Sequence, residues 1–269
     1  MSSLIYPVLF AVFVWWFSTG LILLLDNLPR TTFCWSLVLS SALAGAALLG
    51  LAHTAGQTSV AGAYCAFTCA LLVWGWHELT FLTGWLTGPR KVASPPGLTG
   101  WPRFSQAVAA ILWHELGILA MGAAIAAITW NAPNQIGTWT FAVLWVMRTS
   151  AKLNLFLGVR NLSEEFLPPH LKYLQSFFRR RPMNALFPLS VTAATAVAAT
   201  MVAAALDAPP AAAAGLMLVT TMLALAILEH WLLVLPLPST ALWLWAMRNA
   251  AEPPTAPHED GKEILLHAH

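Results

Sequence analysis

The sequence predicts an all-α membrane protein with about seven transmembrane helices in one bundle. Of its 269 residues, 58% are apolar and 9% are charged, and the mean hydropathy is +0.69. Soluble domains carry roughly 25% charged residues, so this chain lacks the polar surface that water requires. A soluble enzyme, a disordered chain and a basic nucleic-acid-binding module are therefore excluded. The expected surroundings are a lipid bilayer, without nucleic acid as a partner.

Seven segments approach or exceed the ~20 mostly apolar residues that a spanning helix needs. The sixth and seventh are separated only by residues 207–210, where proline cannot continue a helix. Beyond the seventh, Trp243 and Arg248 predict a short helix in the membrane interface. We expect residues 1–250 to form one transmembrane domain and residues 251–269 to form a polar, disordered tail. The predicted spans are residues 4–25, 33–52, 60–83, 105–130, 138–158, 187–206 and 211–235.

Lysine and arginine are confined to alternate connections between these spans. The connections 53–59, 131–137 and 207–210 contain neither residue. Because cytoplasmic loops carry an excess of Lys and Arg, the N-terminus is predicted to face the outside or periplasm and the C-terminus the cytoplasm. The basic residues outside the spans are Arg30, Arg90, Lys91, Arg103, Arg160, Lys172, Arg179, Arg180, Arg181, Arg248 and Lys262.

Ionisable residues inside the spans recur as adjacent histidine–glutamate pairs. Charged side chains at membrane depth cost several kcal/mol, so those present usually serve a site. With a rise of about 1.5 Å per residue, all of them lie about 9 to 15 Å from the predicted cytoplasmic ends of their helices. Four helices should therefore place their charges in one layer. The pairs are His77–Glu78, His114–Glu115 and Glu229–His230, and the fifth span adds Arg148 and Lys152.

Three interpretations of this layer stay open. Histidine and glutamate suit iron, manganese or zinc, although adjacent side chains diverge by about 100° and cannot easily share one ion. Alternatively, a histidine could ligate a tetrapyrrole metal beside Trp74, Trp76, Trp113 or Trp231, although core packing explains these rings more simply. In the third interpretation the glutamates only neutralise Arg148 and Lys152, and the histidines hydrogen-bond between helices. Neither His77 nor His114 begins an HExxH motif, which disfavours an intramembrane zinc protease.

The long connection 159–186 combines an amphipathic segment, residues 171–178, with a run of three arginines. Arginines at a membrane surface can bind anionic lipid or a partner, and they also satisfy the predicted topology alone. Glu164 and Glu165 precede them. We expect His170 and the tail histidines to be solvated. The predicted partner or lipid contacts are Glu164, Glu165, Arg179, Arg180 and Arg181.

The polar pairs lie within longer recognisable stretches. These are residues 76–80, 113–116, 152–170, 179–184 and 228–231. In these stretches the sequence resembles the PuhE family of photosynthetic complex assembly proteins from anoxygenic phototrophic bacteria, over about residues 4–248. The resemblance implies a role in reaction-centre assembly or bacteriochlorophyll supply, with reaction-centre or pigment-synthesis proteins as partners. It also implies the bacterial inner (intracytoplasmic) membrane, so that the N-terminus would be periplasmic. It assigns no chemistry to single residues.

The layer and the resemblance together predict an assembly factor that handles bacteriochlorophyll or a late precursor. The candidate ligands are His77, Glu78, His114, Glu115, Glu229 and His230, with Arg148 and Lys152 balancing the charge. The alternative is a metal-dependent, di-iron-like oxidase or hydroxylase acting on a pigment or isoprenoid. That alternative requires bound iron. The sequence leaves enzymatic activity open and assigns no catalytic residue.

Overall fold

Seven long helices dominate the structure, a computed structural model that describes residues 2–237 and 239–247. No β-strand occurs in this part of the chain, which holds only an isolated bridge between Val159 and Arg180. The predicted all-α bundle is confirmed. The predictions for Arg248 and the tail 251–269 concern residues outside this description. The helices are α1 (Ser2–Asp26), α2 (Phe33–Thr54), α3 (Val60–Leu82), α4 (Gly100–Ile128), α5 (Ile136–Leu157), α6 (Leu186–Leu206) and α7 (Pro210–Leu232).

Six of these seven helices are long and apolar enough to cross a membrane. The exception is α5, whose 22 residues include Arg148, Lys152 and Asn154. It is as long as its neighbours, and its polar side chains alone lower its hydropathy. Because α4 ends and α6 begins at opposite ends of the bundle, α5 must run the length of the bundle between them. The chain is a multi-pass membrane protein.

The connections alternate between two ends of the bundle. One end of the bundle holds the connections after α1, α3 and α5 and the segment after α7. We call it the basic end, because the connections at the other end contain no Lys or Arg. Two bounds differ from the prediction by three residues or more. Helix α4 begins at Gly100 because Pro102 lies in the first turn, where proline is tolerated. Helix α7 stops at Leu232, four residues before Pro236.

Helices α3 and α7 form the centre of the bundle, and α5 packs against both. In α3 and α7, more than half of the most apolar 18-residue stretch is buried inside the bundle. In the other four apolar helices the buried share is about a fifth. Helix α4 is peripheral: only five of its 29 residues are buried. Four of these five, Ala110, His114, Ile118 and Ile125, follow helical spacing and form one stripe facing the bundle.

The segment 83–91 folds back onto the middle of α4. A Cβ atom at Gly88 would overlap the backbone of Ala109 and Ala110, so glycine allows direct backbone contact here. The backbone N–H of Arg90 donates to the carbonyl of Ala109 at 3.3 Å. The N–H of His114 donates to the carbonyl of Thr87 at 2.9 Å, outside the usual helical ladder. The segment and α4 are therefore joined at His114.

The segment after α7 forms a short 3₁₀ turn, Ser239–Trp243, and a short helix α8, Leu244–Met247. Trp243 is buried against Trp15, with ring centroids 5.4 Å apart, and its indole N–H donates to the carbonyl of Trp16 at 3.0 Å. The short helix that the sequence predicts here is confirmed, and its described part docks on α1. Its place in the membrane interface stays a prediction.

Candidate functional site: a polar layer inside the bundle

Charged residues of α3, α4 and α5 meet in two ion pairs. The guanidinium of Arg148 lies 3.2 Å from the carboxylate of Glu78, joining α5 to α3. Lys152, one helical turn further along α5, pairs with Glu115 of α4. Each ion pair thus fixes one helix to α5 at membrane depth. This is the arrangement that the charge-balancing interpretation requires.

His77 and His114 face each other between α3 and α4. Their ring centroids are 6.3 Å apart, and the planes cross at 74°. Only 1% of His77 and 2% of His114 is exposed. Phe81 and Phe141 flank the two imidazoles at 4.5 and 6.2 Å, so the surroundings of both rings are largely apolar.

Several polar atoms of this pair and of Glu78 have no hydrogen-bond partner. They are both ring nitrogens of His77, Nδ1 of His114 and Oε1 of Glu78, four of the ten such buried atoms among the described residues. A buried polar atom without a partner costs about 1–3 kcal/mol. Because such atoms are rare in native proteins, a group of four points to a missing water, ion or ligand.

His230 differs, because both of its ring nitrogens are engaged. Nδ1 lies 2.8 Å from the carbonyl of Ala226 and must donate to it, which leaves Nε2 as an acceptor in the neutral ring. The hydroxyl oxygen of Ser150 lies 2.9 Å from Nε2. Ser150 in turn lies 2.8 Å from the hydroxyl of Ser190. This chain links α5, α6 and α7, and the structure does not bring His230 to the other two histidines.

Glu229 pairs with a residue that the sequence analysis did not connect with the layer. The indole N–H of Trp15 donates to its carboxylate at 3.2 Å, across 214 positions of sequence. Arg148 also acts on Glu229 electrostatically. The layer thus contains three carboxylates and two cations. No local pattern could have paired Trp15 with α7, whereas a hydrogen-bond donor beside the excess carboxylate could have been expected.

The polar layer does not offer a set of ligands for a metal ion. No group of three or more His, Cys, Asp or Glu side chains in the described residues is arranged to hold a metal ion. Glu78 and Glu115 are also turned toward cations. The residues therefore do not fit the di-iron-like site of the enzymatic alternative.

A tetrapyrrole finds ligating atoms but no open path to them. The unpartnered nitrogens of His77 and His114 are suitable axial ligands, yet both rings are enclosed. Trp76 lies against His77, with centroids 4.8 Å apart, while Trp113 and Trp231 are half-exposed on the outside. A macrocycle could reach the imidazoles only after α4 moves away from α3.

The connection 158–185 is fastened to the bundle by an arginine that the sequence analysis did not single out. Arg103 of α4 donates to the carbonyls of Phe156 and Phe177 and lies 4.1 Å above the ring of Phe156. Arg180 lies 3.6 Å from Glu164, and both side chains are exposed. Arg181 and Glu165 are exposed as well. This face remains available to lipid or to a partner.

His170 is partly buried, and the expectation that it is solvated was wrong. Its Nε2 lies 2.7 Å from the carbonyl of Leu82 at the end of α3, and its ring faces Phe33 at 6.4 Å. Burial lowers its pKa below the ordinary histidine value, and the nearby charge of Arg30 lowers it further.

Comparisons with known proteins identify relatives over nearly the whole chain. A Rhodobacter capsulatus protein described as "Uncharacterized 30.4 kDa protein in puhA 5'region" is 42% identical over 247 residues, 90% of each chain. The position of its gene in the puhA 5' region does not confirm the PuhE name. No solved structure is significantly similar. Residues 1–254 match the model of the family described as "Protein of unknown function (DUF3623)", and the chain belongs to that family.

Proposed function

We propose that this protein is an assembly factor for the photosynthetic reaction centre that transiently holds bacteriochlorophyll or a late precursor. The contacts are His77 and His114, with Glu78 beside them. The observation that supports this is the group of four buried polar atoms without partners on these three residues. A purely structural layer would be more stable with those atoms satisfied or replaced by apolar ones.

The chemistry of the group fits a pigment better than it fits a free metal ion. Bacteriochlorophyll supplies its own magnesium, which takes an imidazole nitrogen as an axial ligand. Two histidines in apolar surroundings are then sufficient, and no set of three protein ligands is needed. Phe81 and Phe141, which flank the imidazoles, provide the apolar contact that a macrocycle requires.

The relative in Rhodobacter capsulatus supports the process. It lies in the puhA 5' region, within a photosynthesis gene cluster, and its sequence covers 90% of this chain. Genes of one assembly process are commonly grouped in bacteria. Reaction-centre proteins or pigment-synthesis enzymes are thus the proposed partners.

The test replaces both enclosed imidazoles by an apolar side chain of similar volume. The double variant His77→Leu, His114→Leu is expressed in a phototrophic host that lacks its own copy. We expect reaction-centre absorbance in the near infrared to fall several-fold, while immunoblots show unchanged levels of the variant. The matched control is His53→Leu. His53 is exposed and lies in the last turn of α2, at the end of the bundle away from the basic end. Normal reaction-centre levels in the double variant would refute the proposal.

Metal content separates this proposal from the enzymatic alternative. The protein is purified in mild detergent from the phototrophic host, and its metals are measured by plasma mass spectrometry. Magnesium near one per chain, together with pigment absorbance, is the expected result. Iron without haem or pigment would contradict the proposal and favour a metal-dependent enzyme.

A further inference from the structure

A cavity of about 260 Å³ opens at the basic end of the bundle. It lies between the start of α2, the segment after α3 and the 3₁₀ helix Pro169–Phe177. Three cationic or ionisable nitrogen groups line it: Arg30, Lys91 and His170. None of the lining residues is acidic. The cavity is therefore a region of uncompensated positive potential, which attracts an anion.

Hydroxyl groups without partners complete the lining. Oγ1 of Thr87 and the hydroxyl of Tyr173 are both buried, and neither makes a hydrogen bond. Burial raises the pKa of Tyr173, and the Thr87 hydroxyl beside it opposes that rise, so the two hydroxyls lie close together. Thr87 lines the cavity although it is only 2% exposed, so an oxyanion would bond to its hydroxyl only after the side chain turns toward the cavity. Two buried donors beside cations are what a bound oxyanion would satisfy.

The backbone supports this arrangement. Gly84 adopts a φ of +78°, and a Cβ atom there would lie 2.9 Å from the ring of His170. Glycine therefore allows both the left-handed turn and the close approach of His170. Since Nε2 of His170 donates to the carbonyl of Leu82, Nδ1 is left for protonation and donation to an anion.

We propose that this cavity binds a phosphate group, supplied by the headgroup of an anionic phospholipid. The cavity lies where spans end, and Trp35 and Trp85, which are 71% and 64% exposed, flank it in sequence. Exposed tryptophans gather at the membrane–water interface, which is the depth of lipid headgroups. The inference is independent of the proposed function, because it uses none of the residues of the polar layer.

The test measures lipid binding to the full-length, delipidated protein in mild detergent. Native mass spectrometry compares dioleoyl phosphatidylglycerol with dioleoyl phosphatidylcholine, and calorimetry titrates inorganic phosphate. We expect one retained phosphatidylglycerol and at least ~10-fold weaker binding in the double variant Arg30→Gln, Lys91→Gln, since each contact is a charge-assisted hydrogen bond. The matched control Lys172→Gln, an exposed cation of the 3₁₀ helix that carries His170 but outside the cavity, should bind as the wild type does.

The outcomes separate the sources of the phosphate. Binding of phosphatidylglycerol without measurable binding of inorganic phosphate supports the lipid headgroup. Tight binding of inorganic phosphate supports the phosphate site but overturns the lipid as its source. Failure of both probes to bind, or equal weakening by Lys172→Gln, overturns the site itself.

A second variant distinguishes binding from folding. Thr87→Val removes the hydroxyl with little change of shape. We expect it to weaken binding of phosphatidylglycerol about 5–10-fold and to leave the apo-protein as stable or more stable, because an unsatisfied buried group is lost. Wild-type affinity together with lower thermal stability would contradict the proposal, since the hydroxyl would then serve only the fold.

Discussion

The ion pair between Arg148 and Glu78 should respond asymmetrically to the loss of either partner. At 3.2 Å and an effective dielectric constant of about 20, the attraction is about 5 kcal/mol before desolvation is subtracted. Breaking a buried pair from one side costs about 3–5 kcal/mol, because a buried charge is left without a partner. The side chain of Glu78 is 12% exposed and that of Arg148 is 44% exposed. The carboxylate therefore has less access to other partners.

We therefore expect Arg148→Met to lower the free energy of unfolding by about 3 kcal/mol, the lower end of that range. Glu78→Gln should cost only about 1–2 kcal/mol, because a long arginine can extend its charged head toward the interface. The double variant should be about 1–2 kcal/mol more stable than Arg148→Met alone, because it contains no unpaired buried charge.

The assay is equilibrium unfolding in mixed detergent micelles titrated with dodecyl sulfate, followed by the fluorescence of the 14 tryptophans. Arg148→Lys, which retains the charge, serves as the control and should lie between the wild type and Arg148→Met. A cost below about 1 kcal/mol for Arg148→Met would refute the reasoning. So would a double variant that is no more stable than Arg148→Met, because the pair would then contribute no coupling.

Three further predictions concern the connections. Asn134→Ala should lower the free energy of unfolding by about 1–3 kcal/mol, because the buried side-chain amide donates to the carbonyls of Thr54 and Gly62, both at 3.1 Å. Thermal unfolding measures this loss, with Asn134→Asp as the control. Gly88→Ala should destabilise the protein by about 1–3 kcal/mol, because the methyl group overlaps the backbone of Ala109; a wild-type melting temperature would contradict this. Burial and Arg30 lower the pKa of His170, so the unfolded chain binds its proton first, and stability should fall as the pH drops below about 6.5. His170→Gln should remove that part of the pH dependence, and an unchanged profile would show that His170 does not cause it.

The local pattern of the sequence was sufficient to predict the helices and the depth of the charges. Helical rise is constant, so counting residues from each helix end put Glu78, Arg148, Glu115 and Lys152 at similar depths, and the structure pairs them. The polar side chains of α5 are visible in the sequence as well. They explain why α5 is less apolar than the other six long helices.

Contacts between distant segments could not be predicted in the same way. Trp15 meets Glu229 across 214 positions, and nothing near either residue indicates the other. The fold-back of segment 83–91 depends on Gly88, which the sequence shows only as one of 16 glycines. His170 follows a proline in a polar connection, and its partial burial depends on the approach that Gly84 permits. Tertiary packing, which periodicity does not encode, decides all three.

Thr87 physically connects the cavity at the basic end with the polar layer. Thr87 lines the cavity, and its carbonyl accepts the backbone N–H of His114 at 2.9 Å. A phosphate bound between Arg30 and Lys91 should order segment 83–91 and with it the bond from Thr87 to α4, the peripheral helix that must move to expose the imidazoles. Phosphatidylglycerol should therefore slow hydrogen exchange of the His114 amide several-fold in the wild type but not in Arg30→Gln, Lys91→Gln. Mass spectrometry of a peptide covering residues 109–116 measures this exchange. Equal exchange with and without bound phosphatidylglycerol would show that the cavity and the layer act independently, because a ligand that stabilises the segment must also stabilise the bond it makes to α4.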